Sequence, residues 1–257
     1  MTTQEEQPSY YGHRERLRTR FMADEGASMP DYELLELLLT MAIPRRDVKP
    51  IAKILIKKFE NIKGVLNAPA HKLLEDADLS PNAIVLLRLL HTCMLRSAYQ
   101  GFTVSEDPVI LNWSQLEEYY WQKLAYSEIE EFHVCFLDES HHYKGGKQLS
   151  SGTINQATVH PREVVRAAIE NNAVYIILIH NHPSGSYKPS DYDLAVTREI
   201  EALAEVMNFE VFDHLIVAKD GVYSFREAGL IKPKKKRGED GRVIDDKPEH
   251  KRGRGKK

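Results

Sequence analysis

Cysteine is scarce in this chain. Cys93 and Cys135 are the two among 257 residues, and no C-x-x-C spacing occurs. Each sits in apolar sequence, which suits reduced core thiols of an intracellular protein rather than a disulfide framework. Long apolar runs are missing too. None approaches the roughly 18 residues that a membrane span needs. The N-terminus, MTTQEEQPSYYGHRERLRTR, has no apolar segment of the secretory kind. No membrane partner is expected, and the expected compartment is the cytoplasm. An excess of one charge is also lacking: Lys+Arg number 35 and Asp+Glu 38, a net charge of -3. Such a balance argues against the chain as a whole being a polyanion binder.

What is present is enough apolar sequence, 42%, for a real core in one large or two modest domains. The first part reads as helix throughout. His13 to Ala23 is basic, with Leu17, Phe21 and Met22 on one stripe. Asp31 to Met41 opens with acidic residues that suit a helix N-terminus. Pro50 can open the next helix, Ile51 to Phe59. Shorter segments follow at 62–66 and 70–75, then a long leucine-rich helix from Pro81 to Gln100. Gly101 to Pro108 reads as a polar linker, so domains are expected at 1–101 and 102–231.

Beyond the linker the period changes. A helix is expected over Leu116 to Leu124, a buried strand over Phe132 to Leu137, and a second strand around Lys147 to Ile154. The polar turn Asp138 to Gly146 lies between these strands. It carries His141 and His142, whose adjacency makes them poor partners for one ion. Arg162 to Asn171 is an amphipathic helix. Val174 to His180 is the central strand, Ser190 to Met207 a long helix, and Phe209–Ala218 and Gly221–Phe225 two more strands joined by a turn at Lys219–Gly221. This alternation predicts an α/β (α+β) fold, all-helical first and sheet-with-helices second. From 232 to 257 apolar residues almost vanish and a disordered basic tail is expected. Its clusters, Lys234–Arg237 and Lys251–Lys257, read either as a solubilising tail or as a non-specific nucleic-acid tether.

The central strand ends in HNHPSGSYKPSDYD, from His180 to Asp193. Residues two apart on a strand share a face, so His180 and His182 project together. A helix starting near Ser190 can return the Asp193 carboxylate towards them. Two imidazoles and a carboxylate are the ligand types of zinc, with one position left for water. The same Ser-x-x-Asp also fits a helix-capping pattern that needs no metal. The two roles are compatible.

The spacing H-x-H-P with Ser190-x-x-Asp193 resembles the JAMM (JAB/MPN-type) metallohydrolase motif. The fuller string HNHPSG with PS-x-x-D, VHPREVV upstream and DHLIV downstream, is similar to the RadC family, over roughly Pro8 to Ile231. The resemblance implies a mixed, curved sheet flanked by helices. It implies that His180, His182 and Asp193 hold Zn2+ and that Ser190 hydrogen-bonds the substrate carbonyl or its oxyanion. It also implies cleavage of peptide or isopeptide-like bonds in an unknown protein or peptide. The helical region resembles a helix-hairpin-helix element, but its turn, Asp76 to Asn82, lacks glycine and carries two aspartates. Both features oppose phosphate approach. Seven basic residues (Arg14, Arg16, Arg18, Arg20, Arg45, Arg46 and Lys49) read as a solvated helix face or as a patch.

The mechanism needs a base. By resemblance it is a glutamate expected just before Gly152-Thr153-Ile154, where this chain has Lys147 and Gln148. Glutamine cannot accept a proton from water. Glu163 and Glu139 are the substitutes expected from sequence, and Gln148→Glu is expected to raise activity. The alternative to a hydrolase is a zinc-binding, catalytically weak module associated with DNA or protein. RadC is linked to DNA repair by name.

Overall fold

A computed structural model describes residues 10–75, 79–152 and 159–232, together with a strand pair, Lys236–Arg237 against Val243–Ile244. The other residues of the basic tail, the turn residues 76–78 and residues 153–158 lie outside the described residues. So do the helix-hairpin turn, in part, and the end of the expected second strand. The chain divides into two compact units at Arg96/Ser97.

The first unit is helical: α1 (Tyr10–Asp24), α2 (Asp31–Ala42), α3 (Lys49–Phe59), α4 (Ile62–Asn67), α5 (Ala70–Leu74) and most of α6 (Pro81–Thr103). Its core is what the apolar spacing dictates. Leu35 and Leu39 of α2, Ile51 and Leu55 of α3, Val65, Leu73 and Leu87 are all buried together. The first turn of α4 requires glycine, because a Cβ on Gly64 would stand 2.0 Å from the Phe59 carbonyl oxygen at the end of α3. Asn61 caps α4, accepting from Gly64 N at 2.8 Å. On the expected stripe of α1, Leu17 is buried, whereas Met22 is exposed. Several of the basic residues have local partners. Arg14 donates to the carbonyls of Ile43, Pro44 and Arg46 at the end of α2. Arg18 pairs with Glu15 and Arg20 with Glu33.

The second unit is a five-stranded mixed sheet, in the order β2-β1-β3-β4-β5. Its strands are β1 (Glu131–Leu137), β2 (Tyr143–Ser151), β3 (Tyr175–Asn181), β4 (Glu210–Ala218) and β5 (Gly221–Ser224). β1 runs antiparallel to β2 and β3, β3 parallel to β4, and β4 antiparallel to β5. Helix α7 (Trp113–Leu124) covers one face; α8 (Pro161–Glu170) and α9 (Asp191–Val206) cover the other. A strand covered on both faces must be apolar on both, and every residue of β3 is buried. Ile176 and Leu178 join the α8/α9 core, Ile177 and Ile179 the α7 core.

Two expected boundaries move. Helix α6 runs on into the expected linker, as far as Thr103, and Phe102 is buried in the second unit's core. β2 begins at Tyr143 rather than Lys147, so the turn is shorter. Asp138 closes that turn by accepting from Ser140 N and His142 N. His141 stacks on Tyr175 at 4.2 Å, and neither turn histidine belongs to a ligand cluster among the described residues. Over the described residues no helix is long and apolar enough to cross a membrane.

Candidate metal centre

The site forms where the apolar run of β3 meets its polar end. His180 pairs across the sheet with Phe132 on β1 and Ile216 on β4. His182 N still donates to Val217 O at 2.9 Å. Extended pairing therefore persists one residue past the strand, and the alternation brings both imidazoles to one face. Their Nε2 atoms are 3.0 Å apart. The chain then reverses through Gly185, at φ 89, a conformation that costs glycine little. That reversal returns the Ser186 carbonyl to within 2.7 Å of His182 Nδ1. A carbonyl can only accept, so Nδ1 of His182 carries a proton, and Nε2 is the nitrogen turned towards the site.

Ser190 and Asp193 close the third side. Ser190 caps α9 and Asp193 reciprocates in a capping box. Asp193 Oδ1 lies 3.1 Å from His180 Nε2, and Oδ2 lies 3.4 Å from His182 Nε2. The Ser190 amide and hydroxyl also donate to Oδ2, at 2.7 and 2.6 Å. Thus one carboxylate both caps the helix and joins the histidines, as the sequence allowed. Burial works to raise the Asp193 pKa. The bonds to His180, His182 and Ser190 outweigh it and hold the carboxyl well below the usual range. His182 is desolvated, yet Asp193 and the Ser186 carbonyl raise its proton affinity.

The three donor atoms lie within 4.8 Å of one another. Two donors about 2.0–2.1 Å from one tetrahedral ion stand roughly 3.3 Å apart. The histidine pair needs only a small relaxation to reach that separation. The donor set, two imidazole nitrogens and a carboxylate held ionised, fits a divalent cation of the zinc type.

The expected base positions do not converge on this cluster. Gln148 pairs with His133, whose ring contacts Tyr120 of α7. Directly paired residues share a face, so Gln148 lies on the far side of the sheet from His180. Lys147 does share the site's face but pairs with Glu170. Glu139 sits past the other end of β1, about 20 Å along the strand from Phe132. Glu163 is held by Arg162 and Arg166 of its own helix.

One further carboxylate, overlooked in the sequence, is near enough for its charge to reach His182. Glu130 precedes β1 and continues its pairing, since its carbonyl accepts from Gly152 N at 2.9 Å. It shares the face of Phe132, whose ring stacks on His180 at 5.8 Å. Its charge raises the proton affinity of His182 and of Tyr192. Asn181, the residue between the two histidines, holds this stretch in place. Its side chain accepts from Glu131 N at 2.8 Å and donates to Ile129 O at 3.0 Å, one bond on each side of Glu130.

Beneath the cluster lies buried His214 of β4. Its Nε2 is 2.8 Å from His180 Nδ1, and its Nδ1 is 2.7 Å from Thr197 Oγ1. Burial holds its pKa well below the ordinary value. The adjacent Asp213 accepts from Ser224 Oγ, Arg226 N and His214 N. Burial outweighs these donors and raises its pKa to about 6.

Comparison with known proteins places the chain among relatives. A family model for the RadC-like JAB domain matches residues 110–230, which include every residue of the cluster. The chain is also 40% identical over 225 residues to a UPF0758 protein of Ruegeria pomeroyi. That match covers 87% of this chain and 100% of the relative. Similarity of this depth along nearly the whole length, with the same domain carrying the site, shows that the chain belongs to the RadC family.

Proposed function

We propose that this protein is a zinc-dependent hydrolase of the JAMM type, acting on peptide or isopeptide-like amide bonds. The convergence of His180, His182 and Asp193 carries this reading. When bound there, Zn2+ supplies Lewis acidity, acidifying water and polarising a carbonyl. The chain's own residues supply the rest. Glu130 takes the proton from the attacking water and returns it to the leaving amine. Its backbone is fixed by Asn181, which limits the wandering of the carboxylate. Ser190 has one hydroxyl proton, at present given to Asp193 Oδ2. Released from Asp193, that proton would be available to the developing oxyanion.

The assignment of the base replaces the expectation attached to Gln148. Glu130→Gln is expected to keep bound zinc and lower metal-dependent peptidase turnover by roughly 10²–10⁴-fold. Metal analysis and turnover of the same preparation test this. Undiminished turnover in that variant would remove Glu130 from the mechanism. Gln148→Glu, on the opposite face, is expected to give no gain. The basic clusters at Lys234–Arg237 and Lys251–Lys257 support a second element of the proposal, non-specific tethering to nucleic acid.

A further inference from the structure

Building on the metal-centre reading, we propose that His214 and Thr197 form a positioning relay that decides which nitrogen of His180 is free to ligate. The relay is read from its far end. Thr197 Oγ1 lies 2.5 Å from the Asp193 carbonyl oxygen. A carbonyl carries no proton, so the hydroxyl hydrogen must lie on that line. A hydroxyl has a single hydrogen. Towards His214 Nδ1, 2.7 Å away, Thr197 Oγ1 therefore accepts, and Nδ1 carries the proton.

A buried neutral imidazole holds one ring proton, so His214 Nε2 is bare. It faces His180 Nδ1 at 2.8 Å, which must donate. With its proton fixed on Nδ1, His180 presents a lone pair at Nε2 to His182 and Asp193. The hydrogen-bond order is thus set by an atom that cannot reverse. That carbonyl is Asp193's own, so the residue whose side chain faces the histidines also anchors the far end of the relay, four residues before Thr197 on α9.

Packing removes the alternatives. Phe132 stacks on His180 at 5.8 Å, and Phe225 stacks on His214 at 4.6 Å. His214 is fully buried and Thr197 nearly so. Each ring lies against an aromatic neighbour, which restricts its rotation. His214 is not itself a ligand to the same ion, since its Nε2 is spent on the outer nitrogen of His180. It acts through His180, in the way that outer-shell partners orient metal-binding histidines elsewhere.

The test uses the full-length chain and Zn2+ alone. Its dissociation constant is measured by competition with a chromophoric chelator, and ring protonation by ¹H–¹⁵N correlation of the histidines. His214→Leu removes the acceptor, and Thr197→Val removes the terminal hydroxyl while keeping the shape. Each is expected to weaken zinc by about 10–100-fold. His214→Gln, whose amide oxygen can stand where Nε2 stood, is expected to recover most of that loss. In the wild-type chain His214 is expected to be protonated on Nδ1, with zinc or without it. A folded His214→Leu chain that binds zinc within twofold of wild type overturns the relay, as does a proton on His214 Nε2. If His214→Leu does not fold, Thr197→Val decides, and unchanged affinity there overturns it. A wild-type chain that takes up no zinc overturns the metal-centre reading, and the metal-free tautomer then judges the hydrogen-bond order by itself.

Discussion

Asp193 uses both carboxylate oxygens, one towards His180 and one shared between His182 and the cap of α9. The helix start and the ligand set are therefore one structure, and a change at Ser190 has two readouts. Ser190→Ala removes a cap bond, which is expected to cost about 1 kcal/mol in urea unfolding. It also removes the donor proposed for the oxyanion, which is expected to lower kcat by roughly 10²–10³-fold. A kcat that follows stability alone would leave Ser190 as a cap. At this scale much was legible. Period-two spacing put His180 and His182 on one face, and Ser-x-x-Asp located the helix start. Glu130 was not legible, although it stands in plain view among Glu128, Glu130 and Glu131. Which of three neighbouring acids faces the site depends on the β1–β3 register, and register is a tertiary fact.

The pairing of β1 and β2 shows the same limit among elements. The sequence predicted both strands, but not the irregularity that sets His133 opposite Gln148 and Phe132 opposite Ser150. A one-residue slip exchanges the two faces, and here it moves Gln148 away from the site. Helix α6 outran its expected end because Phe102 is buried in the second unit, a packing gain that the polar residues around it conceal. Asp213 offers a test of how β4 and β5 are held. Its carboxyl pKa is raised from 3.8 to about 6, so the folded chain binds a proton that the unfolded chain has already released. The stabilisation is full below about pH 4 and is lost as pH rises through 6, a change of roughly 3 kcal/mol. Unfolding free energies of wild type and Asp213→Asn between pH 4 and 7 are expected to converge on the acid side and separate on the neutral side. Parallel curves would refute the raised value.

Across the whole molecule, charge is the feature most visible in the sequence and least explained by the fold. Net charge is -3, yet the segment after Ile231 is rich in lysine and arginine. If that segment tethers nucleic acid, binding of the full chain to duplex DNA should weaken steeply with salt. A chain ending at Ile231 should lose most of the binding. Equal, salt-insensitive affinity for both would remove the tether. The order of helical part and sheet part was readable from the change of hydrophobic period, because each period reflects burial of one face.

Everything proposed for the site depends on a bound divalent cation, so metal content of the purified chain is the most direct measurement. The account predicts close to one zinc per wild-type chain and a large loss in a folded His182→Ala chain. A wild-type chain without metal, or a variant that keeps its full complement, would contradict it.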